Sequence, residues 1–199
     1  RMQENGVRIA IASSRAYSEL SRDLIDRIHP DFYIGASGQS IQDAAGKLLY
    51  ARRFSHEQTR RVVEAAQAQG LGLSLKYEDC TCIYTRPEEM WSVFGNIGAP
   101  KSPSIYCPSK DWHEKKLPIG FTVAGSKEAC AGIRQALAAW PEEFRVELYG
   151  SEVIADIFRQ GYNKKTALAW LAEYLGLQPE NCLCFGDGAN DMEMIRWAG

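Results

Sequence analysis

The chain has 199 residues, 45% hydrophobic and 24% charged, with a formal net charge of −2 and a pI near 6.0. That length and apolar share suffice for one large domain or two small ones around a genuine core. There is no basic excess and no aromatic-basic repeat, which points away from nucleic acid. No apolar run reaches the roughly 18 residues of a membrane helix, and the polar start RMQENGVR is not a signal-peptide pattern. A cytoplasmic protein acting on a small molecule, without a membrane or nucleic-acid partner, is the expectation. Oligomeric state is not legible.

In chain order, Val7–Ala12 reads as a short buried strand ending in the polar Ser13-Ser14-Arg15. A helix follows, with Leu20, Leu24, Ile25 and Ile28 at helical spacing and Pro30 beyond it, and then a second strand from Phe32 to Ala36. Strand, helix, strand is the order of a parallel α/β sheet. Gln58 to Gln69 reads as a helix, Gly72 to Tyr84 and Gly120 to Ala124 as strands, and Lys127 to Trp140 as a helix. Phe144 to Phe158 reads as two strands turning at Tyr149-Gly150-Ser151. These elements form an inserted α+β domain. The four prolines between residues 99 and 118 predict a long loop on it. A helix over Thr166 to Leu175, stopped by Gly176, and a buried strand over Asn181 to Phe185 restore the first pattern, so that both ends of the chain read as parts of one sheet. Six cysteines, at 80, 82, 107, 130, 182 and 184, lack the spacing of a disulfide scaffold or a structural zinc site; free thiols are expected, with the pairs Cys80/Cys82 and Cys182/Cys184 buried in strands.

In such a sheet ligands bind beyond the carboxyl ends of the strands, and three polar groups fall there. Ser13-Ser14-Arg15 offers a hydroxyl and helix-opening amides that suit a phosphate oxygen, or a plain serine cap. Asn163-Lys164-Lys165 opens a helix with two cations, against the macrodipole, which is unfavourable unless they serve an anion. At about 100° per residue Lys164 falls within the Leu168, Leu171, Leu175 stripe, whereas Lys165 is turned about 90° away. Finally, CFGDGANDM places Asp187 and Asp191 on either side of a glycine turn. One acid is explained as a helix cap; two of them at this edge suit Mg²⁺, a cation that takes oxygen ligands. Tyr106, Lys110, Trp112 and His113 are candidate substrate contacts or an ordinary polar loop. Arg52, Arg53, Arg60 and Arg61 are an anion-attracting face or a solvated one.

GVRIAIASSR, YIGASGQSIQD, NKKTALAWL and FGDGANDMEMI resemble, in order, the motifs of the haloacid dehalogenase superfamily, most closely its Cof-like phosphatases with a type IIB (C2B) cap. Ser14, Ser37 and Lys165 stand where that family usually has glycine, asparagine and glycine. The resemblance implies an α/β, Rossmannoid parallel sheet core in two parts, residues 1–51 and 158–199, with an inserted α+β cap over 52–157. It implies a Mg²⁺-dependent phosphomonoester hydrolase for a small phosphorylated metabolite, such as a sugar phosphate, working through an aspartyl-phosphate. Ser13, Ser14, Lys164 and Asn190 would contact phosphate, with Ser13 and Lys164 catalytic, and Asp187 and Asp191 would serve the metal. The family's nucleophile lies in an Asp-x-Asp motif on a first strand, and no such triplet occurs in these residues. It is therefore expected upstream of Arg1, and the 199 residues alone are expected to be inactive. A phosphomutase on the same scaffold, or a non-catalytic phosphate-binding module, are the alternatives.

Overall fold

The computed structural model describes residues 3–96 and 104–199. Strand β1 (Ala10–Ala12) pairs in parallel with β2 (Phe32–Gly35), Ala10 opposite Phe32. A parallel pair needs a crossover. It is made by a 3-10 turn (Tyr17–Glu19) and helix α1 (Arg22–Ile28), which ends at His29 in the left-handed region. The helix expected to carry Leu20, Leu24, Ile25 and Ile28 thus starts only at Arg22, with Leu20 buried ahead of it and Leu24 exposed. Strands β3 (Ser40–Asp43) and β4 (Leu48–Ala51) follow as an antiparallel hairpin, giving a sheet of order β1-β2-β3-β4 whose one parallel pair is β1/β2.

The chain then leaves this sheet. Helix α2 (His56–Ala68) starts where Ser55 and Gln58 exchange side-chain and backbone hydrogen bonds of 3.1 and 3.0 Å, a capping box. Strands β5 (Gly72–Lys76) and β6 (Thr81–Thr85) form a hairpin, and helix α3 (Pro87–Asn96) follows. The loop expected over 99–118 lies outside the described residues up to 103. Beyond that it contains strand β7 (Ser104–Tyr106) and a helical turn, α4 (Trp112–Lys115), because Trp112 packs on the core and β7 finds a parallel partner in β6. Strand β8 (Gly120–Ala124), helix α5 (Lys127–Leu137) and the hairpin β9 (Phe144–Tyr149) and β10 (Ile154–Arg159) complete a second sheet of order β7-β6-β5-β8-β10-β9. Phe54, Leu73, Phe121 and Ile157 lie in the core between this sheet and its helices.

Helix α6 (Lys164–Tyr174) returns to the first sheet, where Ala167 and Leu171 pack on Ile34, Ile41 and Tyr50. Helix α7 (Met192–Trp197) follows it. The strand expected at Asn181–Phe185 is absent: residues 182–187 pair with no strand among the described residues, and Leu183 and Phe185 are 72% and 82% exposed. Apolar composition marks side chains suited to burial, but a strand also needs a neighbour to bond. The two ends of the chain therefore meet through α6, not through one continuous sheet. All six cysteines are free and four are buried, but of the two pairs expected in buried strands only Cys82 lies in one: buried Cys80 precedes β6, and Cys182 and Cys184 are half-buried outside any strand. No described helix is long and apolar enough to cross a membrane.

One close approach fixes α6 against the first sheet. Ala36, Ser37 and Gly38 all have positive φ, at 49, 52 and 95°, and a Cβ on Gly38 would collide with the carbonyl of Asn163. Gly38→Ala should therefore cost at least about 2 kcal/mol, read from urea unfolding. Gly70→Ala, at a positive φ with open space around it, should cost only about 1 kcal/mol. Equal losses would show that the collision does not matter.

Candidate active site

Helix α6 begins at Lys164 because Asn163 caps it. The Asn163 Oδ1 accepts from the Thr166 amide, and the Thr166 Oγ1 accepts from the Asn163 amide, both at 2.9 Å. A lysine in the first turn opposes the helix dipole. Here it is compensated: Lys164 Nζ donates to Asp191 Oδ1 at 2.6 Å, and both residues are 6% exposed. Lys165, one position on, is half-buried. The second Asp191 oxygen accepts from the Gly188 amide at 3.1 Å. Burial alone would raise the Asp191 pKa, but the hydrogen bonds from Lys164 and the Gly188 amide outweigh it and hold the carboxyl below its ordinary range. Asn163 Nδ2 also donates to Glu193 at 2.6 Å, tying the start of α6 to α7.

Ser13 reaches the same corner from β1. Its amide donates to the Ile34 carbonyl and its own carbonyl accepts from the Ser37 amide, each at 2.9 Å, so it is joined to the left-handed loop that abuts Asn163. Its hydroxyl accepts from the Arg15 amide at 3.2 Å, as in a local serine turn. Ser14 faces the inserted sheet instead, where its carbonyl accepts from Lys76 Nζ at 3.4 Å. Asp187 is exposed and Asn190 half-buried on the turn that carries Asp191. Lys164 and Asp191 are thus in contact, Ser13 adjoins them through Ser37 and Gly38, and Ser14 turns away. Among the described residues no group of three or more His, Cys, Asp or Glu side chains gathers as a metal site.

The arginine cluster is engaged elsewhere. Arg53 pairs with Glu78 at 2.7 Å and Arg61 with Glu143 at 2.8 Å, while Arg52 lies over the Tyr50 and Tyr162 rings. Burial would raise the Glu78 pKa, yet the Arg53 hydrogen bonds bring it to about 2. His113 bonds the Tyr84 hydroxyl at 2.9 Å.

Sequence reasoning missed the face that the insert presents. Lys76 Nζ lies 3.2 Å from Asp156 Oδ1 and 3.5 Å from Glu19 Oε2, all three residues nearly fully buried. Thr122 donates to Asp156 at 2.6 Å, and Thr81 to Glu19 at 3.1 Å. Burial pushes Asp156 up, while the two carboxylates overcome the burial of Lys76 and push it up as well. On β9, Glu147 pairs with Arg145 and Tyr149 and lies 3.5 Å from the Ser37 hydroxyl. The available signal was one lysine in GLSLK and one aspartate in IADIFR, each a charge inside a buried-strand pattern.

The profile of the haloacid dehalogenase-like hydrolases matches residues 1–199. The chain belongs to that family. It is 24% identical over 216 residues to the HMP-PP phosphatase of Cronobacter sakazakii, covering 100% of this chain and 72% of that protein. It is 23% identical over 199 residues to a Streptococcus pyogenes protein whose name joins a phosphatase to a peptidyl-prolyl cis-trans isomerase. There it covers 100% of this chain but only 40% of the relative's length. Among solved structures it resembles a phosphatase of the superfamily from Bacteroides thetaiotaomicron, with a TM-score of 0.80 and 21% identity over 100% of this chain and 70% of that one. It also resembles a subclass IIB sugar phosphatase, with a TM-score of 0.79 and 20% identity over 98% of this chain and 73% of that one. The fold is accordingly the α/β fold of this superfamily with an inserted α+β cap domain.

The Lys164–Asp191 pair has a pH signature. A carboxyl held low in the folded state contributes stability that is full above its unfolded value, about 3.9, and lost as pH falls through the folded value. Lys164→Met should cost about 3 kcal/mol at pH 7 and less at acid pH, where Asp191 takes up a proton. Lys165→Met should stay within about 0.5 kcal/mol throughout. Denaturant titrations across pH 2–7 check both; a pH-independent loss at Lys164 would contradict the pairing.

Proposed function

We propose that the full-length protein carrying this chain is a Mg²⁺-dependent phosphomonoester hydrolase for a small phosphorylated metabolite, with residues 1–51 and 158–199 as its core and 52–157 as its cap. The observation that carries this reading is the buried Lys164–Asp191 pair at 2.6 Å, set beside the Ser13–Ser37 corner. It keeps an ammonium fixed at the start of α6, where the transferring phosphoryl group would meet it, without rearrangement during the reaction. Ser13 adds a hydroxyl and Asn190 an amide. Family membership and the phosphatase names of the relatives support the same chemistry.

The donors near the turn are hard oxygens, which fit Mg²⁺. Both Asp191 oxygens are already engaged, by Lys164 and the Gly188 amide, so Asp187, which is exposed, would hold the ion directly and Asp191 would support the site through Lys164. The ion, when bound, neutralises charge on the phosphoryl oxygens. The nucleophile is an aspartate of an Asp-x-Asp motif on a strand preceding Arg1, forming an aspartyl-phosphate that water then hydrolyses. Residues 182–187 pair with no strand among the described residues, and the exposed apolar Leu183 and Phe185 would suit packing beside that strand.

Phosphate release by the full-length protein tests this. EDTA should abolish it and Mg²⁺ restore it. Lys164→Ala should lower kcat by on the order of 10²–10³, whereas Lys165→Ala should leave it near that of the unmodified protein. Asp187→Asn should remove the Mg²⁺ response. Full activity of the Asp187→Asn protein, or equal losses at the two lysines, would overturn the assignment.

A further inference from the structure

Where the chain passes from the first sheet into the insert there is a cavity of about 370 Å³, walled by Arg53, His56, His113 and residues 114–117. None of Ser13, Lys164, Asp187 or Asp191 lines it. Three of its side chains are cations. Arg53 forms the back wall and is held by Glu78, whose two oxygens accept from its two terminal nitrogens at 2.7 and 2.9 Å. Lys116 Nζ lies 3.2 Å from the same carboxylate and 2.7 Å from Asp79. Lys115 is exposed, with its ammonium 5.7 Å from the centre of the Trp112 ring, and makes no ion pair among the described residues.

Two imidazoles complete the wall. His56 is the first residue of α2 and brings the positive end of that 13-residue helix to the rim. The His113 ring is oriented from behind: the buried Tyr84 hydroxyl accepts from the His113 amide at 3.0 Å and lies 2.9 Å from its Nδ1. The phenol proton then goes to Nδ1, which leaves Nε2 as a donor, 3.3 Å from Glu114.

The carboxylates decide whether these donors are spent. Against Glu78, Asp79 and Glu114 the three cations are balanced, but the three acids are not held alike. The Glu78 side chain is 14% exposed and stays with Arg53, whereas those of Asp79 and Glu114 are 66% and 67% exposed. An exposed pair is weak, and its carboxylate returns to water at little cost. A phosphate group brings more charge and more acceptor oxygens to the same donors, through stronger charge-assisted bonds. It therefore displaces Asp79 and Glu114, while Glu78 keeps the Arg53 guanidinium in place. The volume exceeds the roughly 300 Å³ at which small-ligand sites begin, room for more than one phosphate. No Phe, Tyr or Trp is among the lining residues to stack a base.

We infer that this cavity is an anion site apart from the Lys164–Asp191 corner, that its ligand is a compact diphosphate, and that Lys115, Lys116, His56 and His113 are the donors. The assignment holds whether or not the protein hydrolyses phosphate esters. Arg53 also joins the two passages between the sheets, since its carbonyl accepts from Arg159 at the end of β10 at 2.9 Å. An anion held there bears on both passages at once.

Imidazole NMR of the full-length protein, titrated with pyrophosphate in EDTA at constant pH, tests the site. The His56 and His113 signals, assigned by their loss in His56→Gln and His113→Gln, should shift saturably at millimolar concentration or below. His29, at the end of α1, should stay still. Lys115→Ser should weaken binding about tenfold, the scale of one hydrogen bond to a charged group. Glu114→Gln removes a competing carboxylate and should tighten binding a few-fold, a gain that a merely structural role would not give. Both side chains are exposed, so neither variant threatens the fold. ADP separates the sources of the ligand: binding weaker than that of pyrophosphate assigns the free inorganic anion, and equal or tighter binding assigns the diphosphate of a nucleotide. Unmoved His56 and His113 signals, or dissociation constants unchanged in both variants, would overturn the site.

Discussion

The first sheet and the two C-terminal helices depend on an ion pair that has been taken out of water. Lys164 and Asp191 are 27 residues apart in sequence, and each would be costly alone in the interior. Together they are tolerable only because the geometry is complete. The ammonium has its carboxylate, and the other carboxylate oxygen has the Gly188 amide. That completeness demands that the start of α6, the glycine turn and the left-handed loop at Ala36–Gly38 each sit in one place. The pair thus acts as a register mark between elements that share few other polar contacts.

The inserted sheet repeats this economy with a larger cluster. Glu19 comes from the crossover of the first sheet, Lys76 and Asp156 from the second, so their contact spans the boundary between the two layers. Glu19 also accepts from the Ala16 amide at 2.7 Å, which couples the cluster to the loop that follows β1 and Ser13. A change in how the layers meet would strand a buried charge on one side. The boundary is consequently specified by electrostatics as well as by apolar packing.

Much of this was legible in the sequence, and the reason differs by element. Strands β5, β6, β8, β9 and β10 and helices α2, α5 and α6 followed from apolar runs, helical periodicity and turn residues, because each packs on a neighbour close by. Lys164 was separable from Lys165 by helical phase, since phase fixes direction without knowledge of the partner. What was illegible concerned partners. Nothing local reveals that Asp191 bonds to Lys164 through one oxygen, or that Asn181–Phe185 finds no strand among the described residues. Strand β7 was missed because the prolines from 99 to 118 read as a loop, while parallel pairing with β6 decided the outcome; helix α3 was not anticipated. The buried charges of the insert carried a signal, a lone lysine and a lone aspartate in apolar runs, whose meaning only the juxtaposition of sheets discloses.

Five of the six free cysteines fall in two regions that a thiol reagent can tell apart; Cys107, buried in the insert, stands apart because its hydrogen bond with Ser109 outweighs burial and holds its thiol low. Cys80, Cys82 and Cys130 are buried in the insert, where burial pushes their thiols up, Cys80 to about 12, so they are neither reachable nor ionised at neutral pH. Cys182 and Cys184, also raised but half-buried, lie on the segment 182–187 outside the sheets. Alkylation of the first group is consequently limited by opening of the second sheet, and alkylation of the second by the local exposure of one segment. The native chain thereby carries its own pair of reporters, one for global and one for local unfolding, with no label to introduce.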